Sequence, residues 1–314
     1  MTSASAPQAG PRPERLPAGY RWRPATTADV DAIHGLVAAY ERALHGLAMT
    51  GADRITAELA LPGLRAEDDT LLVYDGTGAP AGYGWVNGRR ARVHVHPGHR
   101  GRGLGGALLA WTETRARRAG SDRLAQTVAD GDGAATALLR AGGYSRLVTE
   151  WLLEIALPGG PELPGPPAGI TVRPFRHGDE QAAYRLTEDA FDEWQPRRKS
   201  YAEWARGTVE RATFLPAASP LAFAGGELVG AVLSLDVPGH DEGYVERVAV
   251  RRDHRDRGIA RTLLHETFRT FHRRGRPVCT LWTHSGTGAL SLYERLGMTV
   301  RRSSTVYGKP LVTG

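Results

Sequence analysis

His94-Val95-His96-Pro97-Gly98-His99-Arg100-Gly101-Arg102-Gly103-Leu104-Gly105 returns 155 residues further on as Ala249-Val250-Arg251-Arg252-Asp253-His254-Arg255-Asp256-Arg257-Gly258-Ile259-Ala260. In both places an apolar, alternating segment ends, a turn rich in glycine and arginine follows, and a long helical pattern begins. Small residues let the backbone turn tightly and approach a ligand. The first N–H groups of a helix lack partners within it and lie at its positive end, so such a turn is an anion site in waiting. Glycine-bearing turns also close ordinary loops, so the surrounding chain has to decide.

Two further pairs flank this one in the same order. Tyr20-Arg21-Trp22-Arg23-Pro24, with Asp29 six residues after Arg23, matches Ile170-Thr171-Val172-Arg173-Pro174 with Asp179, 150 residues on. Each reads as a short strand stopped by proline, then an Asp able to cap the next helix. Ala137-Leu138-Leu139-Arg140-Ala141-Gly142-Gly143-Tyr144 matches Ser291-Leu292-Tyr293-Glu294-Arg295-Leu296-Gly297-Met298, 154 residues on. One domain has been duplicated. The pattern predicts a disordered tail over 1–19, a first domain over 20–157, a Pro/Gly linker over 158–169 and a second domain over 170–314. Within each copy, hairpin strands (70–74 with 81–87; 221–224 with 228–236) precede the strand, turn and long helix, giving an α/β sheet covered by helices.

Composition agrees with this division and narrows the function. A chain of 314 residues suits two cores. The net charge is +6, but Lys199 and Lys309 are the only lysines among 40 basic residues, and the arginines are scattered rather than blocked. That texture favours a solvated surface over a nucleic-acid stripe. No apolar run reaches the roughly 20 residues a membrane span needs. Cys279 is the only cysteine, which rules out an intramolecular disulfide and a thiolate zinc cage and fits a reducing cytoplasm. His94, His96 and His99 lack a carboxylate or Cys at ligand spacing, so no metal is expected.

Neither turn ends in Gly-Lys-Ser/Thr, and the glycine spacing is wrong for a dinucleotide fingerprint. Strand, then Arg-x-x-Gly-x-Gly/Ala, then helix, resembles the pyrophosphate loop of the GNAT acetyltransferase superfamily, and 288–298 resembles that family's second signature. The likeness covers almost all of residues 20–314, more faintly in the first copy. It implies two tandem domains, each a mixed, mostly antiparallel twisted sheet flanked by helices, with acetyl-CoA as co-substrate. By the same resemblance, Arg255, Asp256, Arg257, Gly258, Ile259 and Ala260 would hold the pyrophosphate and Val248 and Val250 the pantetheine arm, with the Val248 N–H as oxyanion donor. Val95, Arg100, Gly101, Arg102, Gly103, Leu104 and Gly105 would form a second cofactor site in the first copy. Gly286 stands where many relatives carry an Asn, so Ser285 or Thr287 is expected to make the lost cofactor contact. Tandem chains with a degraded first half also resemble the mycothiol synthases, although Tyr244 and Gly286 replace site residues of that branch.

Acetyl transfer to an amine needs a base, an oxyanion donor and an acid for the departing thiolate. Tyr293 falls at the family's acid position, where the first copy has Leu139. Glu246, taken with Val248 and Val250 as one strand face, is the candidate base; the aligned first-copy position is Ala91. Chemistry is therefore assigned to the second copy, and the first is expected to bind without catalysing. Two structural alternatives are open. In one, Tyr293 packs beneath the loop; in the other, Glu246 pairs with Arg247 or Arg251, leaving Asp241 and Glu242 as other carboxylates. Trp194, Tyr201, Trp204 and Phe191 lie in the helical segment that would cover the acceptor pocket; they read mostly as core, with one or two lining the acceptor site. The acceptor is expected to be a small-molecule amine attacking the thioester directly, with a protein or peptide amine, or a non-catalytic acyl-CoA-binding role, as alternatives. A monomer and a homodimer are equally compatible.

Overall fold

The computed structural model describes residues 16–61, 63–157, 165–192, 197–236 and 241–311. Most of the expected tail, linker residues 158–164 and Trp194 lie outside them. In chain order the elements are β1 (Arg21–Arg23), α1 (Val30–His45), α2 (Ala52–Leu59), α3 (Ala66–Asp69), β2 (Thr70–Tyr74), β3 (Pro80–Asn87), β4 (Arg90–Val95), α4 (Leu104–Arg118), β5 (Arg123–Ala129), α5 (Gly133–Ala141) and β6 (Ser145–Ala156). The second series is β7 (Ile170–Pro174), α6 (Glu180–Phe191), α7 (Tyr201–Gly207), β8 (Pro220–Ala224), β9 (Glu227–Asp236), β10 (Glu242–Val250), α8 (Ile259–Arg273), β11 (Val278–His284), α9 (Leu290–Arg295) and β12 (Thr299–Pro310).

Two compact units result: Met1–Val148 with Ser304–Gly314, and Thr149–Ser303. The first carries strands in the order β1-β2-β3-β4-β5-β12, the second β7-β8-β9-β10-β11-β6. Neighbours are antiparallel except β4–β5 and β10–β11. These units divide the chain differently from 20–157 and 170–314, because the closing strands are exchanged. Glu150–Ala156 of β6 runs along β11, and Ser304–Pro310 of β12 runs along β5. A repeat identifies which segments are strands; it carries no information about which free sheet edge each one joins.

The second unit's sheet is packed on both faces. On one, Ile259, Leu263, Phe268 and Phe271 of α8 cover Val229, Val232, Val245, Cys279 and Leu281. On the other, Ala183, Leu186 and Trp204 of α6 and α7 cover Leu221, Ala231, Leu233 and Ala249. Each such fully buried large side chain contributes ~1.5–3 kcal/mol of transfer free energy. Gly243 lets α8 settle: a Cβ there would lie 2.4 Å from the Phe271 ring.

The repeated Arg…Asp pair has the same task in both units. Arg23 grips the Asp29 carboxylate at 2.7 and 2.5 Å, Arg173 grips Asp179 at 2.7 and 2.8 Å, and the same carboxylates accept the N–H of Thr26 and Arg176. The pair ties the first strand of each unit to the turn that starts its first helix.

Candidate active site

After β10 the chain makes a short 3-10 turn, Arg252–His254, and enters α8 through Gly258, whose φ of 82° is left-handed. Two residues earlier Asp256 has φ 60°, the only positive φ at a non-glycine among the described residues. The first unit repeats this backbone at Gly101 (φ 74°) and Gly103 (φ 81°). Among the described residues neither α4 nor α8 has a side-chain cap, so the leading N–H groups of both are left to another acceptor. The Arg255 Nε donates to the Val250 carbonyl at 3.3 Å, closing the turn onto the end of β10. Pro17 lies beside Gly103 and Pro167 beside Gly258, each within 4 Å of where a Cβ would sit.

The strand before this turn opens the sheet. β10 and β11 pair only from Glu242 with Val278 to Val245 with Leu281. Beyond Val245, β10 keeps its partner β9 but not β11. The Arg251 N–H donates to the Val229 carbonyl at 2.8 Å. Because antiparallel ladders alternate, the register through Ala249–Ala231 and Arg247–Leu233 turns the N–H groups of Val248 and Val250 the other way, into the opening. Backbone donors therefore line the place where a pantetheine chain and a thioester carbonyl are expected.

Glu246 is not on the same face as Val248 and Val250, contrary to simple alternation. The β9–β10 register shifts between Val245 and Arg247, which makes Glu246 the extra residue of a β-bulge. Val245, Val248 and Val250 pack toward α8. Glu246 points to the α6–α7 side, where Arg247, Arg211 and Lys199 are its charged neighbours. Burial raises its pKa and these cations oppose the rise. It forms no ion pair among the described residues: Arg247 faces Glu188 at 3.9 Å and Arg251 binds Asp253 at 2.7 Å. Of the other carboxylates, Asp241 is almost fully exposed and Glu242 is held by Arg301 at 2.7 Å. Next to Glu246, Tyr244 has its pKa raised by burial and by the Glu246 charge.

Tyr293 of α9 packs into the α8-side core, in the cluster that Val248 and Val250 also join, and is 6% exposed. Burial pushes its phenol up to about 12, so it keeps its proton at neutral pH. Acid and base candidates thus occupy opposite faces of the opened ladder. The structure does not free Thr287 for a cofactor. Its hydroxyl donates to the His284 carbonyl at 2.9 Å, accepts the Ala289 N–H at 3.2 Å and meets the Thr283 hydroxyl at 3.0 Å. Ser285 is likewise engaged, accepting the Thr149 N–H at 3.1 Å. Phe191, Tyr201 and Trp204 belong to the α6–α7 core.

The first unit keeps the turn and loses the rest. β3 and β4 pair without a bulge, so Ala91, opposite Val86, corresponds to Val245 and nothing corresponds to Glu246. Leu139 is buried in a small apolar cluster. Asp132 caps α5 through the Ala135 N–H and also meets Arg100 of the turn at 3.5 Å, while the Arg100 guanidinium lies over the Tyr40 ring. This clasp links the two sides of the gap beyond the short β4–β5 ladder, which pairs only Arg90–Ala125 and Ala91–Gln126. The corresponding position of the second unit is Gly286, without a side chain.

The three histidines serve local structure. His94 is half-buried, edge-on against Tyr40, its pKa lowered to about 4 by desolvation. His96 accepts the Gly98 N–H, and His99 meets the Tyr20 hydroxyl at 2.9 Å. Sequence reasoning missed the Glu188–Arg247 pair, although Arg247 matches Arg92 at the turn's own 155-residue spacing. Glu188 is fully buried and its second oxygen accepts the Lys199 N–H at 2.8 Å. The pair holds the α6–α7 connection against β10.

The sequence profile of the acetyltransferase (GNAT) family matches residues 35–144 and again 180–298. The chain belongs to this family, as two tandem copies, and is an acetyltransferase of the GNAT type. It is similar to a mycothiol acetyltransferase of Thermobispora bispora, 32% identical over 240 residues that span 73% of this chain and 79% of that one. A mycothiol acetyltransferase of Thermomonospora curvata is 33% identical over 265 residues, 81% and 87% of the two chains. Among solved structures, a GCN5-related N-acetyltransferase from Sphaerobacter thermophilus superposes with a TM-score of 0.80 at 29% identity, over 96% of this chain and 98% of that one. A tandem GNAT protein from the clavulanic acid biosynthesis pathway shares the fold, with a TM-score of 0.69 at 19% identity over 94% and 99% of the chains.

Proposed function

We propose that the second unit transfers the acetyl group of acetyl-CoA to the amine of a small molecule, by direct attack of the amine on the thioester. The observation that carries this reading is the opened β10–β11 ladder, with the Val248 and Val250 N–H groups turned into it, Glu246 on one face and Tyr293 on the other. The residues present suit acetyl-CoA: the turn from Arg255 through Ala260 offers left-handed backbone and uncapped N–H groups to a diphosphate. Glu246 takes a proton from the acceptor ammonium, directly or through water, and the free amine attacks the thioester carbon. The Val248 N–H donates to the thioester oxygen as charge develops there. The carbon–nitrogen bond forms, the carbon–sulfur bond breaks, Tyr293 gives its proton to the sulfur, and the second proton shed by the nitrogen passes through solvent to restore the phenol.

The activity for which the two bacterial relatives are named supports a small thiol-bearing amine as one acceptor class. The first unit, expected from sequence to hold a second cofactor at Val95 and Arg100–Gly105, is held closed by its Asp132–Arg100–Tyr40 clasp and serves as a partner domain without turnover. Thiol release from acetyl-CoA, followed over a panel of small amines and lysine peptides, tests the reading. Turnover with peptides and none with small amines would replace the acceptor class; no turnover with any amine, despite acetyl-CoA binding, would remove the transferase role from this site.

A further inference from the structure

Trp282 is 47% exposed, one of few large apolar side chains left open to solvent among the described residues. Its position gives that exposure meaning. Cys279 and Leu281 of β11 face the α8 core, so Thr280, Trp282 and His284 alternate onto the other face, the side to which Glu246 points. Tyr244 pairs with Thr280 and Val245 with Leu281. The next step along both strands sets Glu246 and Trp282 on the two banks of the opening. On its other side Trp282 is paired with Leu152, Thr280 with Glu154 and His284 with Glu150. The indole thus shares its face with the carboxylates of Glu246 and Glu150, the Thr280 hydroxyl and the His284 imidazole, while Glu154 faces Arg301 at 3.5 Å. The Nδ1 atom of His284 is buried without a hydrogen-bond partner among the described residues, which is costly unless something supplies one.

We infer that Trp282 is the specificity-determining residue of the acceptor site, stacking against the apolar face of a ring that bears polar substituents while the ring's amine reaches Glu246. This rests on the amine-acetylation reading above. An indole offers a large rigid surface at small entropic cost and attracts a cationic amine through its π face. The carboxylates around it orient hydroxyl or ammonium substituents, and polar groups placed around an apolar floor are the usual means of fixing a small ligand. An open-chain polyamine or an extended lysine side chain would leave most of that face wet.

Glucosamine and its ring-opened alditol carry the same amine with and without the ring, so they are the probes. In the full chain the ring form should show at least a tenfold higher kcat/KM. Trp282→Ala should raise the KM for the ring form tenfold or more and erase its advantage, and Trp282→Phe should restore most of it. The KM for acetyl-CoA should stay as in the wild type. Equal rates for ring and open-chain amines, or an unchanged KM in Trp282→Ala, would overturn the inference while leaving acetyl transfer intact. Saturation-transfer NMR of the ring amine, with CoA present, reads stacking without turnover. A transfer signal that disappears in Trp282→Ala, while the wild type acetylates nothing, would sink the transfer reading. No signal in the wild type would sink the stacking.

Discussion

The two glycine-bearing turns of this chain are nearly the same in backbone and different in everything around them. Left-handed residues fall at Gly101 and Gly103 in one and at Asp256 and Gly258 in the other, each followed by a fifteen-residue helix without a side-chain cap. Yet one is accompanied by a straight ladder and a clasp across its gap, and the other by a bulge and a gap without that clasp. Anion-binding geometry is a property of the backbone and outlasts changes in side chains. The proposed acid and base depend on a phenol and a single inserted residue, and these distinguish the second unit.

The largest effects should follow from erasing that distinction. Tyr293→Phe leaves the ring in its core and removes the proton; kcat is expected to fall about 100-fold or more, with acetyl-CoA affinity by calorimetry nearly unchanged. Unaltered turnover would return Tyr293 to a packing role. Glu246→Gln should reduce kcat/KM by a similar order at neutral pH. Because burial raises the Glu246 pKa, the base form is gained as pH rises through that value, so the wild-type profile should have an acidic limb displaced above that of an ordinary glutamate. The variant should lack this limb.

Calorimetry of the wild type should count one acetyl-CoA per chain. Gly258→Val strains a left-handed position by about 1–2 kcal/mol and crowds the turn, so affinity should drop tenfold or more, whereas Gly103→Val should leave it untouched. Two equivalents in the wild type would show that the clasp does not close the first unit. The smallest effect is expected from Asp256→Gly, which makes the second turn match the first. Removing a carboxylate from beside the diphosphate and relieving φ 60° should tighten acetyl-CoA several-fold and raise Tm slightly.

Much of this was legible beforehand. The repeats, the strand–turn–helix units and the helix bounds near 104 and 259 follow from patterning that local physics enforces, and the Arg23–Asp29 and Arg173–Asp179 clamps fall where the repeat puts them. Three things were hidden. Alternation assumes an unbroken ladder, so it set Glu246 on the wrong face; nothing in Val245-Glu246-Arg247 announces a bulge, which is a property of pairing with β9. Thr287 has the chemistry for a cofactor contact, but its lone hydroxyl is saturated by the turn it closes. The exchange of β6 and β12 is a choice between two similar sheet edges, made by long-range pairing.

That exchange has a consequence for how the protein is made. The edge of β5 receives its neighbour from Ser304–Pro310, some 175 residues later in the chain. During synthesis the first unit must wait with that edge bare until the second has emerged, so a nascent chain halted near residue 160 should bind chaperones or self-associate through it. Separating the halves at the linker would leave the same orphaned border, and neither gene fragment is expected to yield a self-sufficient domain of the native pairing.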